Sequence, residues 1–434
     1  MKTNAETKDI YVRAAAIAEM ANARQVQTLG MTSMPFPLRT GGRLLAALLT
    51  CNAHVAAQTG PSTLTTIHTF AGSPDDGSNP LTIVIDSNGV LYGTTEDGGL
   101  TACSGGCGTV FSLRPPKSPG GAWSEAVYRF PGGSAGSSPQ GGVLLRKNGV
   151  LDGTTLGGGS NDGTVFELEM PSSPGGTVRE TVLYTFAGGS GLMPEGDLSI
   201  GSGGVLYGTT VSGGSYLGGN VFSLTPPGSE GGSWSEDVLH SFTYSGGTNP
   251  YAGVVVGKGG VLYGTTAGGG VNDNGTVFAL SPPESLGGAW IETQLYEFTG
   301  GNDGGGPRNG NLLLSGGVLY GTTNAGGTAG QGVVFSLTLP AMPGAAWTET
   351  VLYSFGGYSG DGTLPEAGVV FGGRGVLYGT SYTGGAYGHG TVFSLTPPAT
   401  QGGAWTENVL HSFTGGSDGA GPWAPLVVGS KGKL

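Results

Sequence analysis

The sequence predicts an all-β protein, a β-propeller built from four-stranded blades. A unit of about 56 residues recurs six times, and each unit contains four short segments rich in Val, Leu, Phe, Tyr and Thr. Gly-Gly, Pro-Pro or Asn-Gly turns separate these segments, a pattern typical of strands joined by hairpins. Four strands per repeat is the content of one propeller blade. A β-helix coil needs fewer residues per turn, and a sandwich does not repeat so regularly.

The four strands of a unit are named a to d in chain order. Strand a is the PxxGVVV-like segment, strand b is GVLYGTT, strand c is GTVFSL, and strand d ends in an aromatic-x-Phe, as in WTETVLYSF. Strands with little polar alternation, such as VVFSL, indicate sheets that neighbouring blades cover on both faces. The Val of strand b stands at 90, 150, 205, 261, 318 and 376, and VFxL begins at 110, 165, 221, 277, 334 and 392.

The number of strands predicts seven blades. An orphan d-like segment, TIHTF at 66–70, precedes the first strand a, and an orphan a-like segment, 426–428, follows the last strand d. A seventh blade would combine the two ends and close the ring without free edges. Its strands b and c are incomplete, so we expect the chain to be truncated at its carboxyl end. The alternative is a six-bladed ring with two extra strands.

The composition supports a packed β protein. Gly 91 and Pro 26 make up more than a quarter of the 434 residues, yet 37% of the residues are hydrophobic and 9% are aromatic, which favours a core over disorder. Only 11% are charged, too few for a coiled coil or a charged tail. The formal net charge of −12 excludes a nucleic-acid surface, since phosphate binding needs a cationic patch.

Residues 31–57 are predicted to be a secretory signal peptide. Arg39 and Arg43 form a positive region, residues 44–49 form a short apolar region, and cleavage is expected after Ala57. The apolar run is too short to cross a bilayer. The alternatives are a short helix and a lipoprotein in which Cys51 is acylated.

Residues 58–434 are predicted to be a single propeller domain that is secreted or displayed on the cell surface. Residues 1–30 precede the signal peptide and are either upstream of the true start codon or disordered. The mature chain has 11 Lys+Arg and 26 Asp+Glu, a net charge of −15, and two cysteines, Cys103 and Cys107. Their close spacing in an oxidising compartment favours a disulfide over a free or metal-bound pair. We expect a monomer without a transmembrane span.

The repeat resembles a known family. The unit at 259–304, GGVLYGTTAGGG…NGTVFALSPP…GGAWIETQLYEFTGGNDG, is similar to the tandem repeat called GloVer of the choice-of-anchor proteins, and the resemblance covers about residues 65–434. It implies a secreted protein, often with a carboxyl-terminal anchoring signal, which truncation would remove. It implies no catalytic residues, because the family has no established activity. A fainter similarity to kelch repeats supports a propeller by analogy only.

Residues that recur in every unit are predicted to be architectural. A glutamate position on strand d and a tryptophan two residues before it share one face of the strand. We expect the indole to pack between blades and the carboxylate to bond a turn or the backbone. A ring of sugar-stacking tryptophans is the alternative, which Val178 in the second unit disfavours. The residues are Trp123, Trp234, Trp290, Trp347 and Trp405, with Glu125, Glu180, Glu236, Glu292, Glu349 and Glu407.

Candidate metal ligands are few, and no cofactor is predicted. His68, His240 and His411 occupy a position that holds Tyr in other units, which indicates a half-buried amphipathic site rather than a ligand or base. The d–a connections carry Asp and Gly, which predicts Asx turns. Calcium bound by these acidic loops is the alternative, although each offers only one or two carboxylates. The loops are 73–80, 301–307, 359–365 and 417–422.

The predicted function is a non-catalytic binding module that uses the b–c and d–a loops to bind an extracellular glycan or protein. No catalytic residue is predicted, since no HExxH, GxSxG context or ligand cluster occurs. The alternative is a carbohydrate-active enzyme, a glycosidase or lyase, with paired carboxylates around the central channel. The carboxylates that do not recur between units are Glu96, Asp97, Asp152, Glu167, Glu169, Glu195, Asp197 and Glu366.

Overall fold

Six antiparallel four-stranded sheets follow one another along the part of the chain that the structure describes. The computed structural model describes residues 62–434 except 119, 160–161, 172–175, 230, 286, 341–345, 401 and 430–431. Residues 1–30 and the predicted signal peptide, 31–57, lie outside the described residues. Within each sheet the strands are ordered as in the chain, from a at one edge to d at the other. This is the blade of an all-β propeller, the predicted fold class.

The strand bounds are as follows. Blade 1 contains Gly77–Ile85, Leu91–Gly98, Thr109–Arg114 and Ser124–Arg129; blade 2 contains Leu144–Leu145, Val150–Thr155, Thr164–Glu169 and Arg179–Thr185; and blade 3 contains Ser199–Ile200, Leu206–Thr210, Asn220–Thr225 and Ser235–Ser241. Blade 4 contains Val255–Val256, Leu262–Thr266, Thr276–Ser281 and Ile291–Glu297; blade 5 contains Leu313–Ser315, Val318–Thr323, Val333–Thr338 and Thr348–Ser354; and blade 6 contains Val370–Phe371, Leu377–Ser381, Thr391–Thr396 and Thr406–Ser412.

The remaining regular elements are short. Gly362–Thr363 pairs with Thr383–Gly384 as a separate two-stranded sheet. The helices among the described residues are single 3-10 turns, and none is long and apolar enough to cross a membrane. These turns are Gly133–Ala135, Lys147–Gly149, Gly188–Ser190, Ser202–Gly204, Lys258–Gly260 and Gly373–Gly375.

The Gly of GVLYGTT is required by the Phe of VFxL on the next strand. Gly264 on strand b pairs directly with Phe278 on strand c, and the Phe278 ring is fully buried. A Cβ at Gly264 would lie 2.5 Å from this ring, and the corresponding distances in the other five blades are 2.5 to 2.7 Å. The two motifs therefore recur together because glycine makes room for the aromatic core.

The two threonines of the same motif join strands and blades. Thr266 and Thr276 hydrogen-bond through their hydroxyls across strands b and c at 2.9 Å, in buried surroundings. The first threonine extends to the next blade, as Thr209 donates to the carbonyl of Ala252 at 2.9 Å. The same inter-blade bond is made by Thr94, Thr322 and Thr380, whereas the hydroxyls of Thr154 and Thr265 are buried without a partner. The motif therefore bonds four of the six blades to the segment that follows them.

Aromatic side chains pack between neighbouring blades. Phe298 at the end of strand d meets Phe335 of the next blade edge to face, with ring centroids 5.2 Å apart. Trp290, the residue just before strand d, meets Tyr207 on strand b of the preceding blade, with centroids 6.1 Å apart. Trp347 packs in the same way at the following interface. These two tryptophans therefore pack between blades.

The segment 62–70 lies between the last blade and the first. Phe70 packs edge to face on Phe111 of blade 1, with centroids 4.9 Å apart, as the other strand-d phenylalanines do on their neighbours. At the other end of the segment, the Ser62 hydroxyl donates to the carbonyl of Leu410 on strand d of blade 6. The segment therefore connects blade 6 to blade 1 at the outside of the ring.

Residues 422–429 occupy the position of a strand a after blade 6. Thr380 donates to the carbonyl of Ala424 at 3.1 Å, as Thr209 does to Ala252 between blades 3 and 4. The amide of Gly429 donates to the carbonyl of Lys433 at 2.8 Å, which is the same turn that follows strand a in complete blades.

The number of complete blades is six, not the seven that we preferred, and the alternative count is confirmed. The two terminal segments have strand-like sequences but form no hydrogen-bonded ladder among the described residues. The physical reason is that no strands b and c lie between them to supply partner N–H and C=O groups.

Candidate functional site

The b–c and d–a connections lie on one face of the propeller, here called the loop face. Antiparallel connectivity places them at the same end of each sheet, and bridges join them directly, as between Thr248 and Gly268. The loop face comprises the described residues of 71–76, 130–143, 186–198, 242–254, 298–312, 355–369 and 413–425, with 99–108, 156–163, 211–219, 267–275, 324–332 and 382–390.

One position on the loop face varies almost completely between repeats. Each d–a connection leads into a proline that recurs seven times, and the residue after this proline takes six different identities in seven copies. Recurring positions build the scaffold, so a position that varies beside a fixed proline is available for function. The residues are Leu81, Gln140, Glu195, Tyr251, Arg308, Glu366 and Trp423. We call them the axial set.

Members of the axial set meet in a pocket at the centre of the loop face. Five of them line it, together with polar residues that follow in the same strands. Contributions from blades 1 to 5 and from the segment after blade 6 place the pocket on the axis of the ring. Its cavity volume is about 30 Å³, room for about two water molecules. The lining includes Leu81, Thr82, Gln140, Glu195, Asp197, Tyr251, Asn309, Asn311 and Trp423.

Side chains at the end of strand b support the axial set from the neighbouring blade. Gln140 donates to Oε1 of Glu96 at 2.6 Å. Tyr382 meets Trp423 edge to face, with centroids 5.1 Å apart. Like the axial set, the position after GTT differs from blade to blade. Two adjacent rings of variable side chains therefore surround the axis.

The floor of the pocket is a hydrogen-bonded bridge between blades. Asp197 Oδ1 accepts the backbone N–H of Gly142 at 2.5 Å, and its Oδ2 accepts Asn311 Nδ2 at 2.7 Å. Asn311 Oδ1 in turn accepts the N–H of Gly253 at 2.8 Å. Both oxygens of Asp197 are thereby engaged. Asp197 and Asn311 together link blades 2, 3, 4 and 5 around the pocket.

Glu195 is the carboxylate of the pocket that can gain or lose a proton near neutral pH. Burial raises its pKa to about 7, and the charge of Glu96 adds to this, while Arg308 opposes it. Burial also raises the pKa of Glu96 and of Glu366. The Arg308 guanidinium lies 5.3 Å from the centroid of the Tyr251 ring. Burial raises the pKa of Asp197 as well, so the pocket becomes more electronegative as these carboxyl groups lose their protons with rising pH.

Strained backbone turns before the recurring prolines hold the residues of the axial set in position. Leu364, which precedes the Pro of blade 6, has φ of 54°, a conformation that costs a non-glycine residue about 1–3 kcal/mol. Its N–H donates to the carbonyl of Gln331, and its carbonyl accepts the N–H of Tyr382, each at 3.0 Å. All seven residues before these prolines share a positive φ: Asn79, Ser138, Met193, Asn249, Gly306, Leu364 and Gly421.

Exposed aromatic side chains concentrate on the loop face. In the described part of the chain, every exposed Tyr or Trp belongs to a b–c or d–a connection, with Tyr216 at 65% and Trp423 at 36% exposure. Aromatic residues are enriched where proteins contact ligands and partners. The residues are Tyr216, Tyr244, Tyr358, Tyr382, Tyr387 and Trp423.

The non-recurring carboxylates divide into two groups. Glu96, Glu195, Asp197 and Glu366 lie around the axis. The others lie elsewhere: Asp97 accepts Asn79 Nδ2 at 2.7 Å, and Asp152 pairs with Arg146, which also contacts Glu167. Glu169 is exposed at the end of strand c. The sequence offered no basis for choosing among these eight carboxylates. The axial set was not predicted, although variation beside a recurring proline was its signal.

The recurring glutamates of strand d lie between blades, away from the axis. Glu407 Oε2 accepts the Tyr358 hydroxyl at 2.8 Å, and Glu236 Oε2 accepts that of Tyr184 at 3.4 Å. These donors are tyrosine hydroxyls of the preceding unit rather than the turn or backbone groups that we expected. Burial raises the pKa of Glu349 to about 7. In all six glutamates Oε1 is buried without a hydrogen-bond partner.

The aspartates of the d–a connections bond their own loops. Asp303 Oδ2 accepts the N–H of Thr299 at 2.8 Å and the Tyr296 hydroxyl at 3.0 Å. Asp418 Oδ2 accepts the N–H of Thr414 at 3.0 Å. These bonds run four residues back to the start of the loop, whereas the predicted Asx turn would bond the backbone two residues on.

Cys103 and Cys107 form a disulfide in the b–c connection of blade 1. The Cys107 side chain is fully buried against the core between blades 1 and 2. The bridge therefore fixes one loop of the loop face onto the scaffold.

Comparison with known proteins places the repeat in a described family. The model of the Gloeobacter/Verrucomicrobia repeat matches residues 55–203 and 195–434. No curated protein matches the chain.

Solved structures resemble the chain only distantly. An ulvan lyase from a new polysaccharide lyase family is 13% identical over 78% of this chain and 85% of its own, with a TM-score of 0.43. A protein of unknown function from Dyadobacter fermentans is 12% identical over 80% and 95%, with a TM-score of 0.39. A sialidase from Trypanosoma rangeli is 14% identical over 76% and 53%, with a TM-score of 0.37. At these scores the similarities say nothing about activity.

Proposed function

The chain belongs to the Gloeobacter/Verrucomicrobia repeat family, and on that premise we propose that it is a non-catalytic binding module that holds a glycan at the central pocket of the loop face. The observation that carries this proposal is the axial set. The residue after the recurring proline varies between units, and five of the seven copies meet at the axis. A rigid scaffold that presents variable side chains at one point suits recognition.

The side chains of the pocket suit hydroxyl groups. Gln140 and Asn309 offer amide donors and acceptors, and Glu195 offers a carboxylate acceptor. Trp423 and Tyr251 flank these groups, and their faces can pack on the C–H surface of a sugar ring. A polar centre flanked by aromatic walls is the usual arrangement of a small-ligand site.

The charge and the size of the pocket restrict the class of glycan that it can bind. The pocket is electronegative and the mature chain carries a net charge of −15, so uronic-acid or sulfated glycans are repelled, and neutral or amino sugars are favoured. Because the cavity has about 30 Å³, only one substituent of a sugar enters it. The ring itself then lies over the mouth, against Trp423, which is partly exposed.

A glycan array probed with the purified chain tests the proposal. We expect neutral or amino glycans to bind, and Trp423→Ala to weaken the best of them about tenfold or more by calorimetry, about 1.4 kcal/mol. Leu339→Ser is the matched control, since Leu339 is exposed on a c–d connection at the opposite end of the blades. Glycan binding that Trp423→Ala does not weaken would contradict the proposal. A preference for acidic glycans or for a protein partner would contradict it as well.

A glycosidase or lyase is the second candidate, and Glu195 favours it. A carboxyl group with a pKa near 7 can donate a proton to a leaving group at neutral pH. A second free carboxylate is also needed, and both oxygens of Asp197 are engaged. We therefore expect no new reducing ends when a bound glycan is incubated with the chain. Product that forms with the natural chain and not with Glu195→Gln would establish the enzyme instead.

We also propose that the chain acts outside the cell and that its ends complete the ring. A disulfide between Cys103 and Cys107 suits an oxidising compartment. Residues 62–70 and 422–429 are proposed to complete the ring of six blades, since they pack on blade 1 and bond blade 6. Secretion of a reporter fused after residue 57 tests the first part.

A further inference from the structure

Three potential metal ligands converge where segment 62–70 meets blade 1. His68 Nε2 lies 3.2 Å from Glu125 Oε1 and 3.6 Å from Asp76 Oδ2. All three ligand atoms lie within 4.8 Å of one another. The side chains are 20%, 23% and 13% exposed, respectively. The three residues come from the terminal segment, the connection that follows it, and strand d of blade 1.

The atoms that face each other do not form hydrogen bonds. His68 Nε2 and Glu125 Oε1 are both buried without a hydrogen-bond partner, although they lie 3.2 Å apart. Asp76 is held rigidly, since its Oδ1 accepts the N–H of Gly77 at 2.6 Å and its Oδ2 accepts the N–H of Ala71 at 2.7 Å. The other strand-d glutamates share the unpartnered Oε1, so the unpartnered imidazole nitrogen of His68 is what distinguishes this interface. A buried polar atom without a partner is costly, and a cation bound by His68 Nε2 would remove that cost.

The corresponding interfaces between other blades differ from the one at His68 in the residue that contacts the aspartate. Where Tyr replaces His, the Tyr296 hydroxyl donates to Asp303, and the Tyr353 hydroxyl donates to Asp361, each at 3.0 Å. A tyrosine thus bonds the aspartate directly, whereas the imidazole nitrogen at His68 offers a ligand atom. Within the described residues, this is the one group of three such ligands that the geometry brings together.

The two distances from His68 Nε2 fit a tetrahedral metal. Bonds of about 2.0 Å to a central ion separate two ligand atoms by about 3.3 Å, close to the separations of 3.2 and 3.6 Å from His68 Nε2. The nearby Arg129 donates through Nε to the carbonyl of Asp75 at 2.8 Å, so its guanidinium is engaged with the backbone. One imidazole and two carboxylates are a donor set that suits Zn²⁺.

We propose that His68, Asp76 and Glu125 bind one Zn²⁺ ion, with water in the fourth position. The ion fastens segment 62–70 to blade 1 and so closes the ring of blades. The exchange of His with Tyr between units had favoured an amphipathic site without a ligand role. In the structure, Asp76 and Glu125 both lie beside His68. The other two histidines at this repeat position do not have two carboxylates beside them. The loop after His240 has no carboxylate, and His411 pairs with Asp418 alone.

The test is a calorimetric titration of the metal-free full chain with Zn²⁺, and with Co²⁺ followed by visible absorption. Cys51→Ser and His54→Ala are present in every variant, so that neither side chain contributes a ligand. We expect one site per chain and a rise in melting temperature with Zn²⁺ that a chelator reverses. His68→Tyr should abolish both effects and still fold, because Tyr occupies this position in four units.

His240→Tyr is the matched control and should bind Zn²⁺ as the parent does. Glu125→Gln should weaken binding at least tenfold and remove the tetrahedral Co²⁺ spectrum. Failure of the parent chain to bind Zn²⁺ at micromolar concentration would overturn the proposal and leave His68 as a simple ion-pair partner. Unchanged stoichiometry in His68→Tyr would overturn it as well, since the ion would then lie elsewhere.

Discussion

At the scale of single residues, blade 2 exchanges one pair of contacting side chains for another. In blade 3, Gly201 lies against the ring of Tyr207, where a Cβ would come within 2.6 Å. In blade 2 the corresponding residues are Arg146 and Asp152. Asp152 is fully buried, and its two oxygens meet Arg146 Nη2 at 2.6 Å and Nε at 2.5 Å. This carboxylate therefore replaces a structural tyrosine and is not part of the axial site.

Removing the arginine alone should destabilise the protein strongly. Arg146→Gly leaves Asp152 buried without its cation, and we expect a loss of about 3 kcal/mol in the free energy of unfolding, measured with urea at pH 8. The variant Arg146→Gly, Asp152→Tyr, Glu167→Ser introduces the residues of blade 3 and should recover most of that loss. A triple variant as unstable as the single one would show that the pair is not exchangeable.

The axial residues also belong to this scale, because each is set by its own strained turn. The sequence showed the recurring proline and the changing residue after it, and both could have been noted as a candidate site. What a sequence does not contain is the direction of the side chain. That direction follows from the positive φ before the proline, as at Leu364, and from the neighbouring blade that bonds the turn.

At the scale of elements, strands b and c were predictable because their motifs require each other. The Gly of strand b and the Phe of strand c recur in all six units, and in every blade they face each other across the ladder. Strand a was less predictable: its ladder has only two residues in blades 2, 3, 4 and 6. Glycines and axial contacts, rather than pairing, occupy the rest of that segment.

A methyl group added at the contact between strands b and c should destabilise the whole blade. Gly264→Ala places a Cβ within 2.5 Å of the Phe278 ring, and overpacking of this kind costs about 1–3 kcal/mol. Chemical denaturation should show that loss, and adding Phe278→Leu should restore part of it. Gly228→Ala, in a loop where a Cβ meets nothing within 4 Å, serves as the control and should be neutral. If Gly228→Ala lowered the stability equally, the loss would come from replacing a glycine backbone and not from contact with the Phe278 ring.

At the scale of the whole molecule, six blades and two terminal segments form one ring. Phe70 and Ala424 show how: each makes the contact that its counterpart makes in a complete blade. The sequence predicted both segments as strands, but it could not show whether they would pair. Whether the two segments pair depends on strands from elsewhere in the ring. Pairing is therefore decided by how the ring closes and not by the local sequence.

Stability should fall as pH rises from about 5 to about 8. Burial raises the pKa of Asp152, Glu195 and Glu349 to about 7, so the folded chain binds these protons more tightly than the unfolded chain. Their contribution to stability is complete below the ordinary carboxyl pKa and is lost as pH rises through about 7. The urea midpoint should therefore be higher at pH 5 than at pH 8. Glu349→Gln should reduce the difference, and a midpoint that rises with pH would refute the argument.

The sequence by itself determined the all-β class, the four strands of each blade and the recurring core, because these depend on contacts inside one unit or between adjacent units. Only the tertiary structure decided which residues form the pocket. Gln140, Glu195, Tyr251 and Trp423 come from four different units. They meet because the blades curve around one axis and strained turns direct their side chains inward.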